Sequence, residues 1–200
     1  MTTQVAAKEV SALRAKTGAG MMDCKKALLE TGGDVQKAID YLKLKGVAKA
    51  ERRAGRTAAQ GVIESYVHFN NRVGVLVELN CETDFVARTD DFQVLARDIA
   101  LHVASANPIA VTVDEVPADY IEHEKSIFEK QVEESGKPEA VREKIVAGKL
   151  KKLLQEQVLL DQPFVKDDKK SVGELVKEVS GKVGENIVVR RVLRYELGEE

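Results

Sequence analysis

Two hydrophobic periods alternate along this chain, and the points where one gives way to the other mark its elements. Ala6, Val10 and Leu13 fall on one face of a first helix, which Thr2 or Thr3 can cap and Gly18 stops. A second helix reads from Met21 to Glu30, with Cys24, Ala27 and Leu28 turned inward and Gly32-Gly33 as its stop. Asp34 caps a third, in which Val35, Ala38, Ile39 and Leu42 stand at i, i+3, i+4 and i+7, and Gly46 is expected to end it. Three short helices within residues 1–50 make a small bundle, near the lower size limit for independent folding. Met21 and Met22 are adjacent, so a helix cannot bury both on one face. After Ala50 the apolar period fades, and residues 51–60 read as a linker.

The period shortens to two at Val62. Val62 to Phe69 and Val73 to Asn80 read as a hairpin across Asn70-Asn71, residues that tolerate the positive φ of a tight turn. Val73, Val75, Val77 and Leu79 alternate with Gly74, Leu76, Glu78 and Asn80. Thr83-Asp84-Phe85 then sits on a short strand-to-helix connection, the kind of surface segment that often carries function. The next helix starts near Asp90, carries Phe92, Leu95, Ile99 and Val103 as its stripe, and ends at Asn107-Pro108. Ile109 to Val113 alternates weakly, as a short strand would.

Pro117 opens a strongly charged helix to about Glu134, and a further helix runs from about Glu139 to Leu160, with Gly148 as a weak point. This insertion, residues 117–160, reads as a helical hairpin that either projects from the body or covers the sheet. Gln162 to Val165 is expected as an edge strand, because Pro163 cannot donate to a ladder. Ser171-Val172-Gly173-Glu174 has the spacing of a capping box, and its helix carries Val172, Leu175, Val176, Val179 and Val183. In the last strand, Asn186 to Leu197, the residues Ile187, Val189, Leu193 and Tyr195 alternate against Arg190, Arg194 and Glu196. The fold class is therefore α+β: a helical head at 1–50, a linker at 51–60, and a core at 61–200 whose antiparallel sheet packs on helices.

Composition narrows the function classes. There is no Trp and aromatics are 4%, so the core rests on aliphatic residues. No stretch approaches the roughly 20 apolar residues of a membrane span, so no membrane partner is expected. Met1-Thr2-Thr3-Gln4 holds no basic stretch followed by an apolar run, so no secretory leader is read there. Cys24 and Cys81 lie far apart without a CxxC, which points to buried thiols in a reducing, cytoplasmic setting. His68, His102 and His123 lack metal-ligand spacing and read as ordinary surface or half-buried residues. The net charge of −2 divides into +6 over residues 1–60 and −8 over the remainder. A basic segment suits either nucleic acid or an acidic protein face. Against bases, no aromatic residue lies between Arg52, Arg53 and Arg56 to stack on them.

Catalytic signatures are missing. There is no GxxxxGK[ST] for a nucleoside triphosphate, and Gly18-Ala19-Gly20 follows a helix and not a strand, so the dinucleotide fingerprint fails. No GxSxG occurs, and no Cys and His suggest a nucleophile with its base. The chain is thus not expected to be an enzyme, and no cofactor or metal is implied.

Glu78-Leu79-Asn80-Cys81-Glu82-Thr83-Asp84-Phe85-Val86-Ala87-Arg88 resembles the second signature of the elongation factor Ts family, the guanine-nucleotide exchange factors for elongation factor Tu. The family's first signature is similar to Leu13-Arg14 followed by Thr17-Gly18-Ala19-Gly20-Met21-Met22-Asp23-Cys24-Lys25-Lys26-Ala27-Leu28. The similarity continues to the C-terminal strand, and with room for one core unit the chain resembles the family's short form. The resemblance implies a ubiquitin-associated-like head and elongation factor Tu as partner. It implies that Asp84 and Phe85 insert near that partner's Mg²⁺ and switch region. Phe85 would be the wedge, and Asp84, flanked by Thr83 and Val86, would help dislodge the ion. It further implies that Met21, Met22 and Lys25 contact the nucleotide-binding domain and that the core grips a second domain.

The residues taken alone admit a plainer reading, in which Phe85 caps the core and Asp84 belongs to a turn. The short-form resemblance and the long apolar-alternating C-terminal strand, an edge that seeks a partner, lead us to expect a homodimer through the core. Two other classes remain open. One is an adaptor whose head binds a partner while the core only dimerises, and the other is an RNA-binding protein that uses the basic head.

Overall fold

The computed structural model describes residues 5–199. Its first helix, α1, is Ala7–Thr17. The expected caps Thr2 and Thr3 lie outside the described residues. Exposed Ala6 takes the cap position, and its amide donates to the Glu9 carboxylate at 3.0 Å. Val10 and Leu13 form the buried stripe, and Gly18 closes the helix at φ +67°, a left-handed cap. The second helix, α2, is Met21–Glu30 and buries Cys24, Ala27 and Leu28. The third, α3, is Val35–Glu51, and its cap Asp34 accepts from the Lys37 amide at 3.0 Å. The three helices pack on one another around Leu13, Cys24, Leu28, Ala38 and Leu42.

Gly46 does not end α3, which continues to Glu51. A glycine inside a helix costs up to about 1 kcal/mol relative to alanine, which is too little to break one held by packing. Val35 opens the helix and stays exposed, outside the buried stripe.

Strand β1 (Gln60–Val67) and strand β2 (Val73–Cys81) form the expected hairpin, with Asn71 at φ +56°. The His68 amide donates to the Val73 carbonyl at 2.9 Å, and Val75, Val77, Leu79 and Cys81 are buried along β2. A short helix, α4 (Asp84–Ala87), leads to α5 (Asp90–Ala106), in which Phe92, Leu95, Ile99 and Val103 are fully buried. Ile109–Val113 does not form a strand. A single parallel bridge joins Ala110 to Val158, and a 3-10 turn follows at Val113–Glu115. That bridge also shortens the second hairpin helix. Helix α6 is Ala118–Glu134, but α7 is Glu139–Gln157, because Val158 turns extended to meet Ala110. These two helices pack on each other, with Val132 and Val146 buried.

The expected edge strand at 162–165 is a two-residue strand, β3 (Pro163–Phe164), paired antiparallel with β4 (Asp167–Ser171) in a sheet of its own. The capping box opens α8 (Val172–Val183): the Ser171 amide donates to Glu174 Oε2 at 2.9 Å, and the Glu174 amide donates to Ser171 Oγ at 3.1 Å. The last strand, β5 (Val188–Glu196), completes a three-stranded sheet ordered β1-β2-β5.

Along β5 the expected alternation fails halfway. Val189 is buried, but Leu193 is 47% and Tyr195 70% exposed. Arg190 and Arg191 are both exposed, so the strand changes face there, and Val192, Arg194 and Glu196 become the half-buried set. A shift of one residue transfers every later side chain to the other face.

The chain divides into two compact units. One takes in residues up to Val62, Asn80–Leu95 and Val176–Val188; the other takes in Ile63–Leu79, Ala96–Leu175 and Val189 onward. In the first, residues 51–60 are tied down rather than loose. Arg53 donates to the Ser180 carbonyl at 3.2 Å, and Asn186 donates to the Arg56 carbonyl at 2.8 Å. In the second, His102 is only 1% exposed, unlike the surface or half-buried position expected of it.

Candidate functional site

The sequence around Phe85 dictates its exposure. Thr83 leaves β2 in an extended conformation and caps α4, its hydroxyl accepting from the Val86 amide at 3.4 Å. Within α4, Ala87 is the buried residue. Phe85 stands two positions earlier, about 200° round the helix axis, and so must face away from the packed side. It is 81% exposed. Asp84 is half-buried, and its carboxylate pairs with Arg88 at 3.0 Å. Val86 is half-buried and Thr83 exposed. The four residues Thr83, Asp84, Phe85 and Val86 thus occupy one turn, with an aromatic ring in solvent beside a carboxylate.

That turn is anchored below. The Cys81 thiol donates to the Thr83 carbonyl at 3.1 Å, and Gln93 donates to the Ala87 carbonyl at 2.7 Å. Burial, reinforced by the negative charge of Glu185, pushes the Cys81 thiol up to about 11. It remains a protonated hydrogen-bond donor at neutral pH, which removes it as a nucleophile. Glu185, just after α8, supplies the acceptors for the backbone at Glu82 and Thr83, at 3.1 and 3.0 Å. Glu82 returns the contact, accepting from the Asn186 amide at 2.7 Å. Sequence reading did not select Glu185 or Asn186. They lie about 100 residues from Thr83, and no local period connects them.

The head residues belong to the same compact unit. Met21 and Lys25 are exposed, and Met22 is 76% exposed. They project from α2, whose other side is fixed by Asp23. Its carboxylate accepts from Lys49 at 2.8 Å and Lys45 at 3.5 Å, and the Lys49 bond holds it below the usual carboxylate range. Met22, Lys25 and Leu29 stand at i, i+3 and i+7 on the open face, and Leu29 extends the surface beyond the residues read from sequence. The spacing itself was the available signal for Leu29.

A second surface lies in the other unit. Ile63, Val67, Leu76, Leu193 and Tyr195 are exposed on the same side of the three-stranded sheet. On that side Arg191 pairs with Glu78 at 2.6 Å. Among the described residues no group of three His, Cys, Asp or Glu could hold a metal ion, and no helix is long and apolar enough to cross a membrane.

Comparison with known proteins covers nearly the whole chain. A family model described as "Elongation factor TS" matches residues 4–199. An elongation factor Ts of Desulforamulus reducens is 54% identical over 196 residues, spanning 98% of this chain and 90% of its own. Its counterpart in Coprothermobacter proteolyticus is 54% identical over 196 residues, spanning 98% and 100%. One from Synechococcus sp. strain CC9902 is 56% identical over 196 residues, spanning 98% and 90%.

Proposed function

The chain belongs to the elongation factor Ts family, translation elongation factors with a role in nucleotide exchange, and from that membership we propose that it binds elongation factor Tu with GDP and promotes GDP release, allowing GTP to bind. The observation that carries this reading is the exposed Phe85 ring beside the Asp84 carboxylate on an anchored turn. Tight GDP binding to a GTPase rests on P-loop amides, a lysine and Mg²⁺. Phe85 enters an apolar pocket of the partner as a wedge. Asp84, with Thr83 and Val86 beside it, disturbs the Mg²⁺ and switch region. Met21, Met22 and Lys25 in the head, residues 1–50, contact the nucleotide-binding domain, and the core, residues 61–200, grips a second domain.

The wedge does not suffice alone. Burying one Phe contributes roughly 1.5–3 kcal/mol, whereas a 10⁴-fold acceleration of release needs roughly 5.5 kcal/mol. The remainder comes from the head and core contacts, which accounts for a motif carried on a larger scaffold. Coupling is reciprocal: a factor that weakens GDP binding is itself bound more weakly when GDP is present. The proposed role is that of an exchange factor and not an enzyme, acting in the cytoplasm without a cofactor and without direct nucleic-acid contact. The engagement of Lys45 and Lys49 by Asp23 supports this over RNA binding, since it commits part of the basic segment.

The core is proposed to form a homodimer. Apolar residues clustered on one sheet face mark an interaction surface, and two copies of such a face stack as a sandwich under two-fold symmetry. Release of a fluorescent GDP analogue from elongation factor Tu tests the function. Substoichiometric amounts of this chain accelerate it under the present reading, and an unchanged release rate at saturating concentration would overturn it.

A further inference from the structure

We propose that Glu185 is a positioning residue for exchange, fixing through Thr83 the turn that presents Asp84 and Phe85; this rests on the wedge reading above. Three donors converge on its carboxylate. Oε2 accepts from the Glu82 and Thr83 amides at 3.1 and 3.0 Å, and Oε1 accepts from the Thr83 hydroxyl at 2.6 Å. The last bond sets the hydroxyl rotor. A threonine hydroxyl has one proton, and with that proton given to Glu185 its lone pairs are left to accept. One of them receives the Val86 amide at 3.4 Å, the bond that caps α4. Glu185 therefore holds the first turn of α4 at second hand, and Phe85 sits inside that turn.

The carboxylate is itself on a fixed base. Ser180 Oγ donates to the Glu185 carbonyl at 2.5 Å, and Gly184 caps α8 at φ +83° with its amide on the Ser180 carbonyl. The adjacent Asn186 is bound through its own amide to Glu82, and through its side chain to the Arg56 carbonyl. The two segments of this latch thus hold each other in both directions. The chemistry calls for glutamate. Its carboxylate accepts at both oxygens, whereas glutamine would point an NH₂ donor at one of the three donors. Aspartate, one methylene shorter, cannot reach the same positions from this backbone. Glu185 touches no part of the partner in this scheme and acts only by restraining Phe85 and Asp84.

The test uses the full chain carrying Glu185→Gln, assayed for release of fluorescent GDP from elongation factor Tu across a range of factor concentrations. The expected result is a drop of about tenfold in the maximal release rate with the half-saturating concentration within about twofold, because binding surfaces are kept and presentation is lost. In a Phe85→Ala background the same substitution should change the rate less than about twofold, since the residue it positions is gone. Hydrogen exchange at the Glu82, Thr83 and Val86 amides should quicken about tenfold while that of α5 is unchanged.

Equal losses of rate in the two backgrounds would overturn the proposal, because a general structural defect acts regardless of Phe85. Undisturbed amide protection with a normal maximal rate would overturn it as well. Failure of the wedge reading is separable: Phe85→Ala alone would then release GDP at the wild-type rate, while the amide exchange still decides whether Glu185 holds the turn. If Glu185→Gln melts below the assay temperature, Thr83→Val carries the two rate readouts and hydrogen exchange at the Val86 amide alone, since the amides at 82 and 83 keep Glu185 as acceptor. It removes only the hydroxyl between Glu185 and Val86, and an unaltered maximal rate in that variant would refute the relay.

Discussion

Phe85 and Ala87 stand two residues apart on one helical turn and face opposite ways: Ala87 is 5% exposed and Phe85 81%. The difference predicts how Phe85→Ala behaves. Truncating a buried phenylalanine costs about 3–5 kcal/mol through the cavity it leaves. Here there is no cavity to leave, so the melting temperature should stay within a few degrees of wild type. GDP release should slow about tenfold or more, by the lost wedge burial. Thermal melts and a fluorescent GDP release assay on one preparation check both statements. Early unfolding with normal exchange by the folded fraction would make Phe85 a core residue.

Asp84→Ala should also spare stability. Its pairing with Arg88 is made between partly and largely exposed side chains, and such surface pairs contribute about 0–1 kcal/mol. Exchange should nevertheless slow. Because Asp84 and Phe85 share one turn and are proposed to act on one Mg²⁺ and switch element, the double variant should lose less than the product of the single losses. A strictly multiplicative loss would assign them to separate steps.

The apolar sheet face predicts a dimer, twice the 22.0 kDa chain, by light scattering at micromolar concentration. Leu193→Glu places a charge on that face. It should yield a monomer with nearly unchanged melting, since Leu193 is already half exposed in the single chain. A wild-type protein that scatters as a monomer would remove the dimer from the reading.

Gly46 and Gly181 predict opposite outcomes from the same substitution. A Cβ on Gly181 would stand 2.9 Å from Gly46 Cα, against backbone that cannot yield, whereas a Cβ on Gly46 finds its nearest neighbour at 3.9 Å. Gly46→Ala should therefore gain the helix preference for alanine, about 1 kcal/mol, or about 2–4 °C in melting temperature. Gly181→Ala should lose about 1–3 kcal/mol to overpacking. If Gly181→Ala stabilises the protein, α3 and α8 do not meet as closely as described.

Local chemistry was legible in the sequence where one element decides it. The bounds of α2, the caps at Asp34 and Ser171, and the stripe of α5 follow from periodicity and capping, and they are observed. What escaped depends on contacts far along the chain. The end of α3 moved because packing outweighs one glycine. The short strand β4, Asp167–Ser171, carries no apolar alternation to read. The switch of face at Arg190-Arg191 hides in a strand where Val189, Leu193 and Tyr195 keep one parity across it. At the candidate site the strand-to-helix connection could be placed from residues 78–88, but not the exposure of Phe85, which caps the core in the plainer reading. The Glu185 clamp beneath that connection could not be placed, because a carboxylate 102 residues away in sequence leaves no periodic trace.

His102 predicts a pH dependence with a definite sign. Both ring nitrogens are committed. Nδ1 accepts from the Val165 amide at 3.2 Å, so Nε2 carries the proton and donates to Gln162 Oε1 at 3.0 Å. Gln162 is held in that orientation by donating its own amide to the Glu156 carbonyl at 2.9 Å. A second proton on Nδ1 would oppose the Val165 N–H. Burial accordingly lowers the His102 pKa below its ordinary value, with the Gln162 bond offsetting part of the shift. Above about pH 6.5 the residue is neutral folded or unfolded and contributes no pH dependence. Below that, the unfolded chain takes up a proton that the folded chain refuses, so stability falls as pH falls, by at most about 1.4 kcal/mol per unit. Asp23 does not share this window, because its lowered pKa places its loss of stability below 3.8. Urea denaturation at pH 7.5 and pH 5.5 should therefore show a decrease in the wild type that is much smaller in His102→Gln. A decrease of the same size in both proteins would show that His102 takes up its proton without cost in the folded state.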